Sequence, residues 1–350
     1  MHEILQFHCP IAINGSRIAW AAGNCLVVYN FENKKFEKSL GEKSNHTDSI
    51  RAIAFSSDGS EIATAGEDKR VEVTTGQEFL HGKKIMAVHI DESGIVVFGD
   101  KFGDFYRLQK GANSDNPIAY DTESVDSEDE ATNNKQLELL FGHISAISTS
   151  LYSPKRKLLI SADRDEKIRI ARYPRADIIE SFLLKHRRYV SHLTWGNEEE
   201  TVLVSAGADG QIIEWDVSNP GRATVIEAHG EDVVGFHSIT SDCAGRIFFV
   251  AVDDAKKIRV ISSESIEWIF PFEIQAIKSY QFGGKIVLIA IDANSHMHLI
   301  DSTSGIVLES VTLPSDVPGV PISYLKLVHH ENLQGDERDS KRNKTGDTDS

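Results

Sequence analysis

Residues 157–173 read Lys-Leu-Leu-Ile-Ser-Ala-Asp-Arg-Asp-Glu-Lys-Ile-Arg-Ile-Ala-Arg-Tyr. The first half is an apolar run ending at Ser161, the centre is a charged turn, and in the second half Ile168 and Ile170 alternate with Lys167 and Arg169. That order predicts a strand, a tight turn and a second strand. The hairpin is also a local anomaly of charge. Residues 155–188 hold eleven Lys or Arg against five carboxylates, a balance of +6 in a chain whose formal net charge is −16.

Used as a ruler, the hairpin uncovers repeats on both sides. His46 precedes Asp68 by 22 residues, His143 precedes Asp165 by 22 and His186 precedes Asp209 by 23. A hydroxyl stands four positions before each Asp, at Thr64, Ser161 and Ser205. His143 to His186 and His186 to His229 are both steps of 43 residues, within the period of about 40–45 residues of four-stranded propeller blades. The fifth unit adds Glu214-Trp215-Asp216.

This His, Ser/Thr, Asp, Trp-Asp pattern resembles the WD-repeat family of β-propellers, which implies an all-β, seven-bladed WD-repeat β-propeller over residues 1–330. A chain of 350 residues is long for a single core, and radial repetition accommodates that length without separate domains. His46, Asp68, His143, Ser161, Asp165, His186, Ser205, Asp209 and Trp215 then read as structural residues. A Ser/His/Asp set that recurs in successive units ties hairpins to loops, whereas a catalytic triad is needed once. Thr74 and Ala171 stand where the pattern would place Trp.

Two stretches fall outside the repeats. Residues 110–136 are polar, and residues 121–130 carry six acids and no base, which predicts a disordered acidic insertion between blades three and four. The tail, residues 331–350, is polar as well and is expected to be disordered. Its Lys341-Arg342-Asn343-Lys344 cluster has the composition of a nuclear signal, set against a solvated tail. Closure of a ring calls for the chain ends to share a blade, with residues 4–7 or 322–328 as the closing strand.

Composition excludes several classes of function. With 40% hydrophobic and 26% charged residues the chain is an ordinary globular sequence. It shows neither a leader nor an apolar run of roughly 18 residues, so an intracellular protein with no membrane partner is expected. Cys9, Cys25 and Cys243 are widely spaced and predict neither a metal site nor a disulfide framework. No Gly-rich dinucleotide loop, phosphate loop or His-Glu-x-x-His motif occurs. The expected catalytic, cofactor and metal residues are therefore none.

A second, narrower resemblance rests on Ser161-Ala-Asp-Arg-Asp-Glu-Lys-Ile-Arg-Ile170, on Tyr173-Pro174, on Ile179-Glu-Ser-Phe182 before His186, and on Gly99-Asp-Lys-Phe-Gly-Asp-Phe-Tyr106. These segments, with an acidic insertion between them, resemble the WD-repeat non-catalytic subunit of the tRNA (guanine-N7-)-methyltransferase. The resemblance implies a heterodimer whose other chain is catalytic, with this chain stabilising it and helping to position tRNA for N7-methylguanosine formation in the variable loop. It places Glu166, Lys167 and Arg169 at the partner interface, with Arg164 and Lys101 beside them. Arg187 and Arg188 become candidate tRNA contacts, and the nucleus the expected compartment, with the cytoplasm as alternative. The competing reading is a scaffold or substrate receptor of another complex, such as a ubiquitin ligase or a chromatin assembly.

Overall fold

Several apolar runs of this chain show no alternation because their strands are buried on both faces. The Ile-Ala-Thr-Ala-Gly, Leu-Leu-Ile-Ser-Ala-Asp and Arg-Ile-Ala-Trp-Ala-Ala strands are buried along all or nearly all of their length. The structure, a computed structural model, describes residues 9–37, 46–110, 114–118, 136–165, 167–228, 236–241, 247–252, 256–262, 265–282 and 285–313. Among these every regular element is a strand.

The strands form seven sheets in chain order. The first blade holds β1 (Ile11–Asn14), β2 (Arg17–Ala22), β3 (Cys25–Asn30) and β4 (Lys35–Phe36). The second holds β5 (Ile50–Phe55), β6 (Ile62–Gly66), β7 (Arg70–Val73) and β8 (Glu78–His81). The third contains β9 (Ile85–Ile90), β10 (Val96–Asp100) and β11 (Asp104–Leu108), followed after β12 (Ser114–Ile118) by its outer strand β13 (Leu137–Gly142). The fourth is β14 (Ile147–Ser153), β15 (Leu158–Asp163), β16 (Ile168–Arg172) and β17 (Ile179–Leu183). The fifth is β18 (Val190–Trp195), β19 (Val202–Gly207), β20 (Gln211–Asp216) and β21 (Ala223–Ala228). The sixth is β22 (Phe236–Ser241), β23 (Phe248–Val252), β24 (Lys257–Ile261) and β25 (Ile266–Ile269), and the seventh is β26 (Ile274–Phe282), β27 (Lys285–Asp292), β28 (Met297–Asp301) and β29 (Val307–Val311).

The seven-bladed expectation therefore holds, and the acidic insertion needs two corrections. It lies within the third blade, between β11 and its neighbour β13, because the chain must lay down a blade's outermost strand before stepping to the next blade. Residues 114–118 are also not without order: β12 adds a fifth strand to the second blade, parallel to β8. Residues 119–135 lie outside the described residues, as do the expected closing strands at 4–7 and 322–328, the repeat His229, Cys243 and the tail.

Each of the first and seventh sheets has four strands from its own segment, so among the described residues no blade is shared by the two ends. The seam between them is closed by packing. Ile18, Trp20, Val27 and Tyr29 of the first blade cluster with Ala276, Ile289, Ile291 and Met297 of the seventh, and Trp20 Nε1 donates to the Ser295 carbonyl at 3.0 Å. Equivalent clusters fill the other six seams. Alternate residues of one strand face opposite neighbours: Ile18 and Trp20 face the seventh blade, Ala19 and Ala21 the second.

Candidate partner-docking face

The repeat histidines sit where one blade hands over to the next. In the fifth blade His186 Nδ1 lies 3.0 Å from Asp209 Oδ1 and its Nε2 2.7 Å from Ser205 Oγ. Trp215 Nε1 donates to the same hydroxyl at 2.8 Å. The result is a chain of donors from Trp through Ser and His to Asp, and such chains strengthen when buried. His46 makes the same contacts with Asp68 at 2.9 Å and with Thr64 Oγ1 at 2.9 Å. Recurrence at the same structural position identifies these sets as ties.

In the fourth blade the tie uses a different acid from the one the spacing singled out. His143 Nε2 meets Ser161 Oγ at 2.7 Å, yet its Nδ1 meets Asp163 Oδ2 at 3.0 Å, while Asp165 is exposed. The strand register supplies the reason. Asp163 opposes Ile147 where Gly66 opposes Ile50 and Gly207 opposes Val190. A side chain at Gly207 would bring Cβ within 2.5 Å of His186 Nδ1, so a glycine there leaves room for an Asp to reach back from the turn. In the fourth blade an Asp occupies the glycine's place and supplies the carboxylate itself.

Two further ties follow the same substitution and were not legible from the His spacing. Asp100 pairs with His81 at 3.1 Å and Asp292 with His298 at 3.2 Å, each at the end of a blade's second strand. The available signal was an Asp closing that strand in place of Gly. Burial pushes up the carboxyl pKa values of Asp68, Asp163 and Asp209, but hydrogen bonds from the histidines and from backbone N–H groups outweigh it and hold all three below the usual range.

The same ties bring the two segments of the narrower resemblance onto one face. Asp100 Oδ1 accepts from Phe102 N at 2.8 Å and Asp104 N at 3.2 Å, fixing the Lys101–Gly103 turn. His143 N donates to the Gly103 carbonyl at 2.9 Å, and Arg164 N donates to the Ala146 carbonyl at 3.0 Å. Gly103 has φ +107°, and a Cβ there would lie 2.7 Å from the carbonyl oxygens of both His143 and Ser145, so only glycine allows this approach. Asp163 Oδ1 accepts from Asp165 N and Lys167 N at 3.0 and 3.1 Å. The turns at 101–103 and 143–146 and the one that carries Arg164, Asp165 and Lys167 thus form one surface across the third and fourth blades.

Lys101, Arg164 and Lys167 lie on that surface, while Glu166 is outside the described residues. Arg187 and Arg188 are exposed on the next blade-to-blade loop, where Arg187 N donates to Asp209 Oδ2 at 2.9 Å. Arg169 does not join them. It is only 7% exposed, its Nη2 donates to the Ala176 carbonyl at 2.9 Å and its guanidinium stacks on Phe141 at 4.0 Å. Residues 169, 171 and 173 face the third blade, where Phe105 and Phe141 occupy the seam beside Ala171. By register Ala171 opposes Leu159 as Trp215 opposes Leu203, so the aromatic pair and Arg169 fill the space left by the missing Trp. The expectation of an outward interface residue is corrected for Arg169, whose guanidinium is held inside the seam. Its matched position in the sixth blade, Arg259, instead pairs with Glu267 at 2.7 Å on the outer strand.

Among the described residues no group of three His, Cys, Asp or Glu side chains is placed to hold a metal ion. No helix of the described residues is long and apolar enough to cross a membrane.

Comparison with known proteins shows the family of the chain. The family described as the tRNA methyltransferase TRM82 WD40 domain matches residues 118–302, more than half of the chain, and a WD domain, G-beta repeat matches residues 37–73. The chain is 34% identical over 209 residues to the tRNA (guanine-N(7)-)-methyltransferase non-catalytic subunit wdr4 of Dictyostelium discoideum, covering 57% of this chain and 44% of that protein. It is 32% identical over 182 residues to the non-catalytic subunit TRM82 of Meyerozyma guilliermondii, covering 47% and 39%. A trm82 subunit of Aspergillus fumigatus is 28% identical over 229 residues, covering 50% and 46%. The chain thus spans less than half the length of these relatives. Among solved structures the β-propeller domain of Cps50 (Swd1) from Myceliophthora thermophila superposes with a TM-score of 0.62 at 11% identity, over 82% of this chain and 94% of that one. That likeness establishes the fold.

Proposed function

Because the chain belongs to the tRNA methyltransferase TRM82 WD40 domain family, we propose that it is the non-catalytic propeller subunit of a heterodimeric tRNA (guanine-N7-)-methyltransferase. One observation supports this beyond membership. The segments 99–106 and 161–170, separated by the insertion and the outer strand β13, meet in adjacent blades and present their turns on one hydrogen-bonded face. Seven packed seams make the ring a rigid platform for that face.

In this reading Lys101, Arg164 and Lys167, with Glu166, meet the catalytic chain and hold it in its active arrangement. Arg187 and Arg188 stand one loop away and contact the phosphates of tRNA through the sequence-independent charge term. The catalytic chain holds S-adenosylmethionine and transfers the methyl group. Assembly in the nucleus is part of the proposal.

The test is reconstitution. The full chain alone is expected to show neither saturable S-adenosylmethionine binding in calorimetry nor methyl transfer to tRNA. Co-expressed with the catalytic subunit of the same organism, it is expected to co-purify one to one and to raise N7-methylguanosine formation. The change Arg187→Glu with Arg188→Glu is expected to leave the heterodimer intact and raise KM for tRNA. Failure to co-purify with, or to activate, the catalytic subunit overturns the proposal.

A further inference from the structure

Among the described residues Phe102, Ile144 and Leu184 are 64%, 94% and 67% exposed. Phe102 and Ile144 sit on turns of the face described above, and Leu184 follows the outer strand β17 of the fourth blade. Phe102 is fixed by the Asp100 carboxylate. Ile144 follows His143, whose N–H is bonded to Gly103 and whose ring is held by Asp163 and Ser161. Leu184 follows Leu183, which opposes Ile168 in the β16–β17 ladder, so Leu184 stands opposite Lys167. Phe102 and Ile144 thus stand on hydrogen-bonded turns, with Leu184 beside the turn that carries Arg164 and Lys167. Among the described residues no ion pair engages Arg164 or Lys167.

Exposed apolar residues also occur on other outer strands, at Leu139, Ile179, Phe182 and Val225, and in the sixth and seventh blades at Ile266, Ile269 and Leu308, with Ile306 just before β29. The charge around those of the sixth blade differs. Arg259 and Lys257 are both paired with Glu267, at 2.7 and 3.6 Å, so the basic residues there are already neutralised within the blade. On the face of the third and fourth blades, by contrast, exposed Phe102, Ile144 and Leu184 stand beside Arg164 and Lys167, which no ion pair engages among the described residues. Protein interfaces are built this way, with a few buried apolar anchors at the centre and charge at the rim. A nucleic-acid site would use the cations and an aromatic face, but would leave Ile144 and Leu184 without a role.

We propose that Phe102, Ile144 and Leu184 are the apolar anchors by which this chain docks its catalytic subunit, seated on an apolar surface of that subunit rimmed by carboxylates facing Arg164 and Lys167. This rests on the proposed function above, whose charged contacts it completes with the residues expected to contribute most of the affinity. Lys83, whose Nζ lies 4.5 Å from the Phe102 ring centroid and 3.7 Å from Asp104, holds the ring in place for docking.

The experiment measures heterodimer affinity by calorimetry, titrating the full-length chain into the catalytic subunit, with Ile144→Asp, Leu184→Asp and Phe102→Ala as variants and Ile269→Asp and Ile306→Asp as controls. Thermal unfolding checks that each variant folds, and Ile144→Ser replaces Ile144→Asp should the latter not fold. Each of the three variants is expected to weaken binding at least about 30-fold, the size of a hot-spot residue, and the controls less than about 3-fold. Wild-type affinity in all three variants overturns this inference and leaves the proposed function standing. Equal weakening by variants and controls also overturns it. Unchanged heterodimer affinity with lost tRNA binding overturns it and assigns the face to RNA. A wild-type chain that does not bind the catalytic subunit overturns the inference and the proposed function together.

Discussion

Arg169 lies over the ring of Phe141, with its guanidinium carbon 4.0 Å from the ring centroid, and the contact joins the fourth blade to the third. Burial pulls the guanidinium pKa below its ordinary value, and Nε is a buried donor without an acceptor. No carboxylate repays that burial among the described residues, so the contact rests on stacking and on the Ala176 carbonyl.

A substitution series at Arg169 separates this seam position from a surface one. Arg169→Glu buries an uncompensated carboxylate and is expected to cost about 3–5 kcal/mol, whereas Arg169→Met keeps volume, removes the charge and is expected to cost less than about 1.5 kcal/mol. Lys167→Glu, on the turn, is expected to stay within about 0.5 kcal/mol. Urea unfolding monitored by fluorescence reads all three. Equal stability of the Glu and Met variants would place the side chain on the surface.

The tie in the fourth blade gives a paired comparison. Asp163→Ala removes the acceptor of His143 and of two backbone N–H groups and is expected to lower stability by about 2–4 kcal/mol, since hydrogen bonds to charged groups contribute about 1.5–3 kcal/mol each and leave buried donors behind when lost. Asp165→Ala is expected to change stability by less than about 0.5 kcal/mol. Chemical denaturation midpoints decide between them, and a reversed order would return the tie to Asp165.

Acid sensitivity above pH 4 should trace to a half-buried imidazole. His89, on β9, bonds Ser150 Oγ of the fourth blade at 2.7 Å, and burial lowers its pKa from 6.5 to about 4. Between these values the unfolded chain binds the proton and the folded chain does not, so stability is fully present above pH 6.5 and falls as the pH drops toward 4, by at most about 1.4 kcal/mol per pH unit. His89→Gln should flatten the stability profile across that window by one proton. An unchanged slope would remove His89 as its source. Below pH 4 a second loss is expected as Asp68, Asp163 and Asp209 are protonated, because their depressed pKa values contribute stability only while they are ionised.

Ring closure by packing makes Trp20 a sensitive position. It is fully buried in the seam between the first and seventh blades, and Trp20→Ala is expected to cost about 3–5 kcal/mol. The broadest hydrogen-exchange increase should appear in β26–β28 and β1–β3. Loss of protection confined to β2 would mean that the seam does not close the ring.

The sequence by itself determined the number of blades and the strand–turn–strand of residues 157–173. That much is legible because alternation, turn residues and the spacing of repeats are written in adjacent positions. The sequence also placed Ser205, Asp209 and Trp215 in one tie, since the fifth unit keeps its glycine. Tertiary structure decided what depends on which side of a strand meets which neighbour. Lys167 and Arg169 share a period-two pattern, yet Lys167 ends in the turn and Arg169 in a seam, because only the aromatic filling opposite Ala171 made room for a guanidinium. Asp163 rather than Asp165 holds His143 because the position paired with Ile147 lies against the imidazole, a distance that 22-residue spacing cannot encode. The closing of the ring belongs to the same class: Trp20 finds Ser295 across 275 residues, and a contact of that separation exists only once every blade between them has folded.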